Sequence, residues 1–385
     1  MKSLFLMTLA TAGLIVGSCA SRSGSVASLS NPDSYEFIVL DENKVAGEKT
    51  IKLSELVDDY KVVHFQNLDS AVFKVMKPVV SENYVAIIQG WGQPVLLFDR
   101  NGDFVCRIGG IGQGPGEYES IYDAVIDERN GKIFISDVIG MSVMEYDLDG
   151  RYITDHKVGN LNKPALFLND DGSVSVASLA FGDMDGNKLV TAATLNFVTD
   201  SVKSMVYAPL VSNFTNPAGE AVGLSNETWA YKNTSNNVFM LTNNDTLYAY
   251  DPARNAIFPR AFLQEKSAKT PETWYQGLEL PNAIMYQVFG DNRRVVWYDK
   301  VTGELVHVNL VDDYCGNTPI APNFLRNGYF VRIWEPGVLM DRIEGQWLNN
   351  SDLTDGQRAY LNELLESLNP DDNDVMFIGR LKTSN

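Results

Sequence analysis

An apolar or aromatic residue followed by aspartate, a short polar turn and a fresh apolar run recurs along this chain at nearly constant spacing. The clear copies are Phe98-Asp99, Tyr146-Asp147, Tyr250-Asp251 and Tyr298-Asp299, with weaker ones at Thr199-Asp200 and Met340-Asp341. Successive aspartates stand 48, 53, 51, 48 and 42 residues apart. That spacing suits a small four-stranded sheet that cannot bury its own faces, so neighbouring copies must pack against one another. The turns that follow, Asp99-Arg100-Asn101-Gly102, Asp147-Leu148-Asp149-Gly150 and Asp299 to Gly303, pair a side-chain acceptor with a glycine free to adopt positive φ. Six marks predict an all-β fold, a six-bladed β-propeller of four-stranded blades.

One segment breaks the pattern. Leu353–Leu368 carries Leu361, Leu364, Leu365 and Leu368 at helical spacing before Asn369-Pro370, which predicts one short C-terminal helix. The last apolar run, Val375–Leu381, reads as a strand. A closed ring removes its exposed edge by pairing its two chain ends, so this strand is expected in one blade with a strand near Tyr60–Phe65. An apolar content of 45% over 385 residues is enough for a core of this size.

The first residues read as a processing segment rather than as part of the body. Met1-Lys2 gives a positive start, Leu4–Val16 is an apolar run too short to span a bilayer, and Gly17-Ser18 precede Cys19. Val16-Gly17-Ser18-Cys19 resembles the lipobox of bacterial lipoproteins. The expected organisation is a lipoprotein signal peptide over residues 1–18, a Ser/Gly-rich flexible tether over 19–34, and the propeller over 35–385. The resemblance implies cleavage before Cys19 and acylation of that cysteine, and several acyl chains on one residue give stable membrane anchoring. The expected address is therefore the cell envelope, as an outer-membrane lipoprotein on its periplasmic or surface face.

A formal charge of −18 argues against nucleic acid, which requires basic surface. Cys106 and Cys315 lie 209 residues apart and read as two separate buried thiols, with one disulfide between them as the alternative in an oxidising compartment. His64, His156 and His307 are isolated, and no cysteine spacing suits a metal. Asp183-Met184-Asp185-Gly186-Asn187 lacks the closing glutamate of a calcium loop and reads as a plain turn. No cofactor, metal site or catalytic constellation is expected.

The glycine-rich segment Gly112-Gln113-Gly114-Pro115-Gly116-Glu117-Tyr118 lacks the Lys-Ser/Thr ending of a phosphate loop, and Pro115 removes a backbone donor. It reads as a link between blades that, in any ligand role, would present Gln113, Glu117 and Tyr118. Together with Ile51–Leu56, Phe98-Asp99 to Gly102, Ile133–Asp137 and Asp371–Lys382, this segment resembles the six-bladed β-propeller lipoproteins of Bacteroides-type bacteria, an NHL-like group. Asn373-Asp374 stands where that family often has Asn-Pro. The resemblance implies architecture and address without an activity.

Aromatic residues outside the strand marks, Trp91, Trp229 and Trp274, lie where loops on a propeller face would fall, and rings beside amides suit carbohydrate. The sequence thus points to a membrane-anchored, non-enzymatic binding or scaffold propeller with a glycan, peptide or protein partner. The alternative is a glycan- or peptide-directed hydrolase or lyase working at the central channel mouth.

Overall fold

A computed structural model describes residues 36–180, 190–197, 201–207, 210, 226–242, 245–267, 270 and 272–383. The expected signal peptide, Cys19, the tether, the Asp183–Asn187 turn and the Thr199-Asp200 mark lie outside these residues.

The chain begins with three strands that join blades formed much later: β1 (Ile38–Asp41), β2 (Glu48–Lys52) and, after the single turn α1 (Leu53–Leu56), β3 (Val57–His64). Blade I is β4 (Lys77–Val80), β5 (Tyr84–Ile88), β6 (Val95–Asp99) and β7 (Phe104–Ile108). A link with the short parallel pair β8 (Gly110–Ile111) and β9 (Glu117–Tyr118) leads to blade II. That blade is β10 (Ile121–Asp127), β11 (Lys132–Asp137), β12 (Ile139–Asp147) and β13 (Tyr152–Asn162). Blade III is β14 (Ala165–Leu168), β15 (Val174–Ala177), β16 (Val190–Asn196) and β17 (Ser201–Tyr207). Blade IV is β18 (Thr228–Trp229), β19 (Asn237–Leu241), β20 (Thr246–Asp251) and β21 (Ala256–Gln264).

Blade V is β22 (Trp274–Glu279), β23 (Ala283–Phe289), β24 (Arg294–Asp299) and β25 (Leu305–Asp312), with β26 (Thr318–Pro319) paired to its outer strand. Blade VI starts with β27 (Leu325–Arg326) and β28 (Tyr329–Trp334). Its chain then leaves the sheet through α2 (Pro336–Arg342) and α3 (Asp355–Glu366) before β29 (Val375–Leu381). Its fourth strand is β3, antiparallel to β29 with Val375 opposite His64 and Ile378 opposite Lys61. The third strand of the chain and its last strand therefore close the ring in one blade, the expected pairing of Val375–Leu381 with a strand near Tyr60–Phe65.

Burial follows position within each blade. The middle strands β5 and β6 are almost wholly buried because neighbouring blades cover both faces, which is why they read as continuous apolar runs. The outer strand β7 alternates because one face meets solvent.

The repeated mark has a physical cause at each end. Phe98, Tyr146 and Tyr250 close the third strand of blades I, II and IV and are fully buried between blades, where each such ring contributes about 1.5–3 kcal/mol. The aspartate after each caps the turn: Asp99 Oδ1 accepts from the Asn101 and Asp103 amides at 2.8 and 3.0 Å, and Asp299 Oδ1 from Val301 and Thr302 at 2.8 Å each. Gly150 adopts φ +85° with its α-carbon against blade I, where an added Cβ would stand 2.1 Å from the Arg107 carbonyl oxygen.

Met340-Asp341 is a correction. It lies on α2, not at a third-strand turn. Blade VI has no hairpin there to mark, because its fourth strand comes from the other end of the chain. The helix expected at Leu353–Leu368 is α3, capped by Thr354, whose hydroxyl accepts from the Gln357 amide at 3.2 Å. α2 was not legible, since Pro336-Gly337 opens it and few of its residues keep helical apolar spacing. Among the described residues no helix is long and apolar enough to cross a membrane.

Candidate functional site

The first strand of each blade faces the axis, and one cavity of about 430 Å³ gathers residues from five blades around it. Lys77 comes from blade I, Tyr122 from blade II, Lys163 from the approach to blade III, Glu227 and Trp229 from blade IV, and Arg326 from blade VI. Two clefts of similar volume, about 520 and 510 Å³, lie away from the axis beside blades V and VI. Volume therefore does not single out the axial cavity. The convergence of charged and aromatic side chains from five separate blades does.

Behind the lining residue Lys77 lies an ionic cluster centred on Asp123, whose side chain has no exposure. Lys77 Nζ stands 2.9 Å from one carboxylate oxygen and Lys232 Nζ 2.6 Å from the other, while the Leu166 amide donates to Asp123 at 2.8 Å. Asp123 thus ties together blades I, II, III and IV. Burial alone would raise its pKa; Lys232 and Lys77 outweigh it and hold the carboxyl below its ordinary range. At Lys232 the balance reverses. Burial pulls its ammonium down to about 8, Asp123 opposes this, and Lys77 adds to the depression.

A second group sits at the side. Glu227 accepts from Lys163 Nζ at 2.5 Å and from the Tyr122 hydroxyl at 2.5 Å. Burial and the neighbouring Glu227 charge push the Tyr122 hydroxyl far above its ordinary value, so it stays a donor. Arg326 differs from the lysines. Its Nε and Nη2 donate to the Asn323 carbonyl at 3.1 and 2.9 Å, and no carboxylate pairs with it among the described residues. Lys163, Lys232 and Asn327 hold φ of 48°, 56° and 54°, so half of the six left-handed non-glycine residues described here flank this cluster.

The wall is apolar. Trp91, on the loop between β5 and β6, is 70% exposed, and Met76 beside it is 51% exposed. Trp229 is half-buried and fixed by an indole N–H donated to Thr242 Oγ1 at 3.1 Å. Of the residues singled out from sequence, Trp91 and Trp229 are thus brought together on one cavity.

The others lie elsewhere. Trp274 stacks on Phe289 in blade V, ring centroids 3.7 Å apart. Gln113 and Glu117 are exposed on the link between blades I and II, where Gln113 donates to Glu119 at 3.0 Å and Glu117 accepts from the Gly114 amide at 2.9 Å. Tyr118 is buried. Its hydroxyl donates to the Ile108 carbonyl and accepts from the Val95 amide at 2.9 Å, so it fastens the link instead of facing a ligand. His64, His156 and His307 sit on blades VI, II and V, and His156 is buried against Glu145 at 2.5 Å. Cys106 and Cys315 are free thiols. Lys77, Lys163, Lys232 and Arg326 escaped sequence reading because an acidic total conceals a local cationic cluster; their one local signal is a basic residue at the start of, or beside, a blade's first strand.

The family model described as "Domain of unknown function (DUF4934)" matches residues 36–380. The chain belongs to the DUF4934 family. A comparison with curated proteins finds no match. Among solved structures, this DUF4934 chain is similar to a protein of Bacteroides fragilis described as exported, with 16% identity over 90% of this chain and 99% of that one, at a TM-score of 0.60. It is also similar to a member of the DUF4221 family from Bacteroides vulgatus, with 11% identity over 86% and 98% of the two chains and a TM-score of 0.46. The first of these likenesses shows a shared fold.

Proposed function

We propose that this DUF4934 protein is a non-enzymatic binding propeller of the cell envelope, held by a lipid anchor at Cys19, whose axial cavity receives a carbohydrate or peptide. The observation that carries the reading is the meeting of Trp91 and Trp229, from blades I and IV, over a floor of fixed charges. Flat aromatic faces above preset polar groups bind sugar rings by packing and hydrogen bonds. The description of the B. fragilis relative as exported supports the address. Binding is favoured over hydrolysis because Glu227, the carboxylate that lines the cavity among the described residues, is already engaged by Lys163 and Tyr122, whereas glycoside cleavage calls for two carboxyl groups facing the substrate.

Screening the purified protein against glycan and peptide arrays tests this, with W91A and W229A as variants. A ligand that loses at least tenfold in affinity in both variants is expected. Cleaved product in the incubation would overturn the non-enzymatic part. Cys19→Ala is expected to shift the protein from the membrane to the soluble fraction of the producing bacterium; unchanged fractionation would overturn the anchor.

A further inference from the structure

The axial floor carries more positive than negative charge in a chain that is strongly acidic overall. Glu227 and Lys163 form one pair, and Asp123 is shared by Lys77 and Lys232, so one ammonium is left over there. Arg326 adds a second uncompensated cation, giving a local excess of two among the described residues. A cationic site within an acidic chain is unlike its surroundings and selects for an anion.

Arg326 also sets the shape of that anion. Two of its five N–H groups are used on the Asn323 carbonyl, which leaves the two on Nη1 and one on Nη2. That end of the guanidinium is a planar fork matched to a carboxylate. The Tyr231 ring, 5.9 Å from the guanidinium carbon, backs it. Around it, Thr228 Oγ1, Tyr231 OH and Asn323 Oδ1 are buried with no hydrogen-bond partner among the described residues. Thr228 and Tyr231 are only 3% and 6% exposed. Buried polar atoms are nearly always paired, so unpaired ones around a cavity suit a ligand rich in hydroxyls.

We infer that the axial cavity is a site for an acidic saccharide of the uronate type, its carboxylate on the Arg326 fork and its ring against Trp91 and Trp229. The inference rests on the binding reading above and narrows its ligand class.

Calorimetric titration of the full mature protein with oligogalacturonates, oligoglucuronates and oligomannuronates, each beside its carboxyl-reduced neutral counterpart, tests it. At least one uronate is expected to bind at least tenfold more tightly than its neutral counterpart. R326M is expected to bring that uronate down to the neutral level, and R326K, which keeps the charge without the fork, to recover only part of the loss. Equal binding of acidic and neutral forms, unaffected by R326M and R326K but lost in W91A, would sink the uronate assignment and leave the binding propeller standing. Binding of acidic peptides alone, sensitive to R326M, would overturn the saccharide class. If no saccharide and no peptide binds, both readings fall. R326K guards against misfolding of R326M, and a melt close to wild type for either variant makes its titration decisive.

Discussion

Replacing Asp123 by asparagine tests whether the axial cluster holds the ring together. Asparagine keeps an acceptor for the Leu166 amide but removes the charge that faces Lys77 and Lys232. Lys77, 23% exposed, can turn toward solvent; Lys232, 10% exposed, cannot. Taking one partner from a buried ion pair costs about 3–5 kcal/mol. At about 2.1 cal/mol/K per residue over Phe37–Asn385, that loss is a fall in Tm of about 4–7 °C. Calorimetry at pH 7 against the exposed control Asp103→Asn reads it directly. The pH dependence supplies a second arm. Asp123 has a lowered folded pKa, so its contribution is present above the ordinary carboxylate range and is lost as pH falls through the folded value. Lys232 is lowered to about 8, so between about 8 and about 10.4 the unfolded chain binds more protons and stability rises with pH. Without Asp123 the ammonium drops further, so the deficit of the variant should shrink when the pH is raised from 7 to 9. A D123N melt within about 1 °C of the D103N control, or a deficit that grows toward pH 9, would refute the reasoning.

Gly150→Ala should lose about 2–4 kcal/mol in urea denaturation, through strain at positive φ and the clash with Arg107, while Gly131→Ala, also at positive φ but in open space, should lose about 1 kcal/mol; equal losses would mean the contact between blades I and II is not tight. Burial pushes the Asp312 carboxyl up to about 6, so the folded state keeps a proton that the unfolded state has released between about pH 4 and pH 6. Stability therefore falls as pH rises across that window, and D312N should flatten this part of the profile; an unchanged slope counts against it. Cys315 is buried, and burial pushes the half-buried Cys106 thiol up to about 11. Both should react with a thiol reagent at pH 7 only after unfolding, and rapid labelling of the native protein would contradict the packing of either one.

The marks at Asp99, Asp147, Asp251 and Asp299 were readable because their chemistry is local: an aspartate bonds amides two to four residues away, and spacing along the chain records it. The sixth mark misled because blade VI completes itself with β3, and no hairpin joins its third strand to its fourth. The site obeys a different rule. Trp91 and Trp229 were each visible as an aromatic residue outside the strand marks, yet only the ring topology sets them on one cavity. Trp274 looked the same in sequence and instead stacks within its own blade. Tyr118 was misjudged because a hydroxyl in a glycine-rich loop looks available until its two backbone partners, Ile108 and Val95, are known. Lys232 and Arg326 gave no motif, since their meaning lies in which carboxylates do and do not reach them.

The first strands of the chain carry a consequence for the order of folding. β1 lies parallel to β21, β2 parallel to β25, and β3 against β29, pairings that begin between residues 223, 259 and 311 positions apart. Contacts so distant in sequence are slow to form, because a long loop must close before they yield any stabilisation. A chain made from its N-terminus therefore emerges with three strands whose partners do not yet exist, and the last of them finds its edge only when β29 arrives. Blades I to III can assemble as synthesis proceeds, whereas the ring stays open until nearly the whole polypeptide is made. Such a protein stays an open array of blades for most of its synthesis and closes late, at the seam where β3 meets β29.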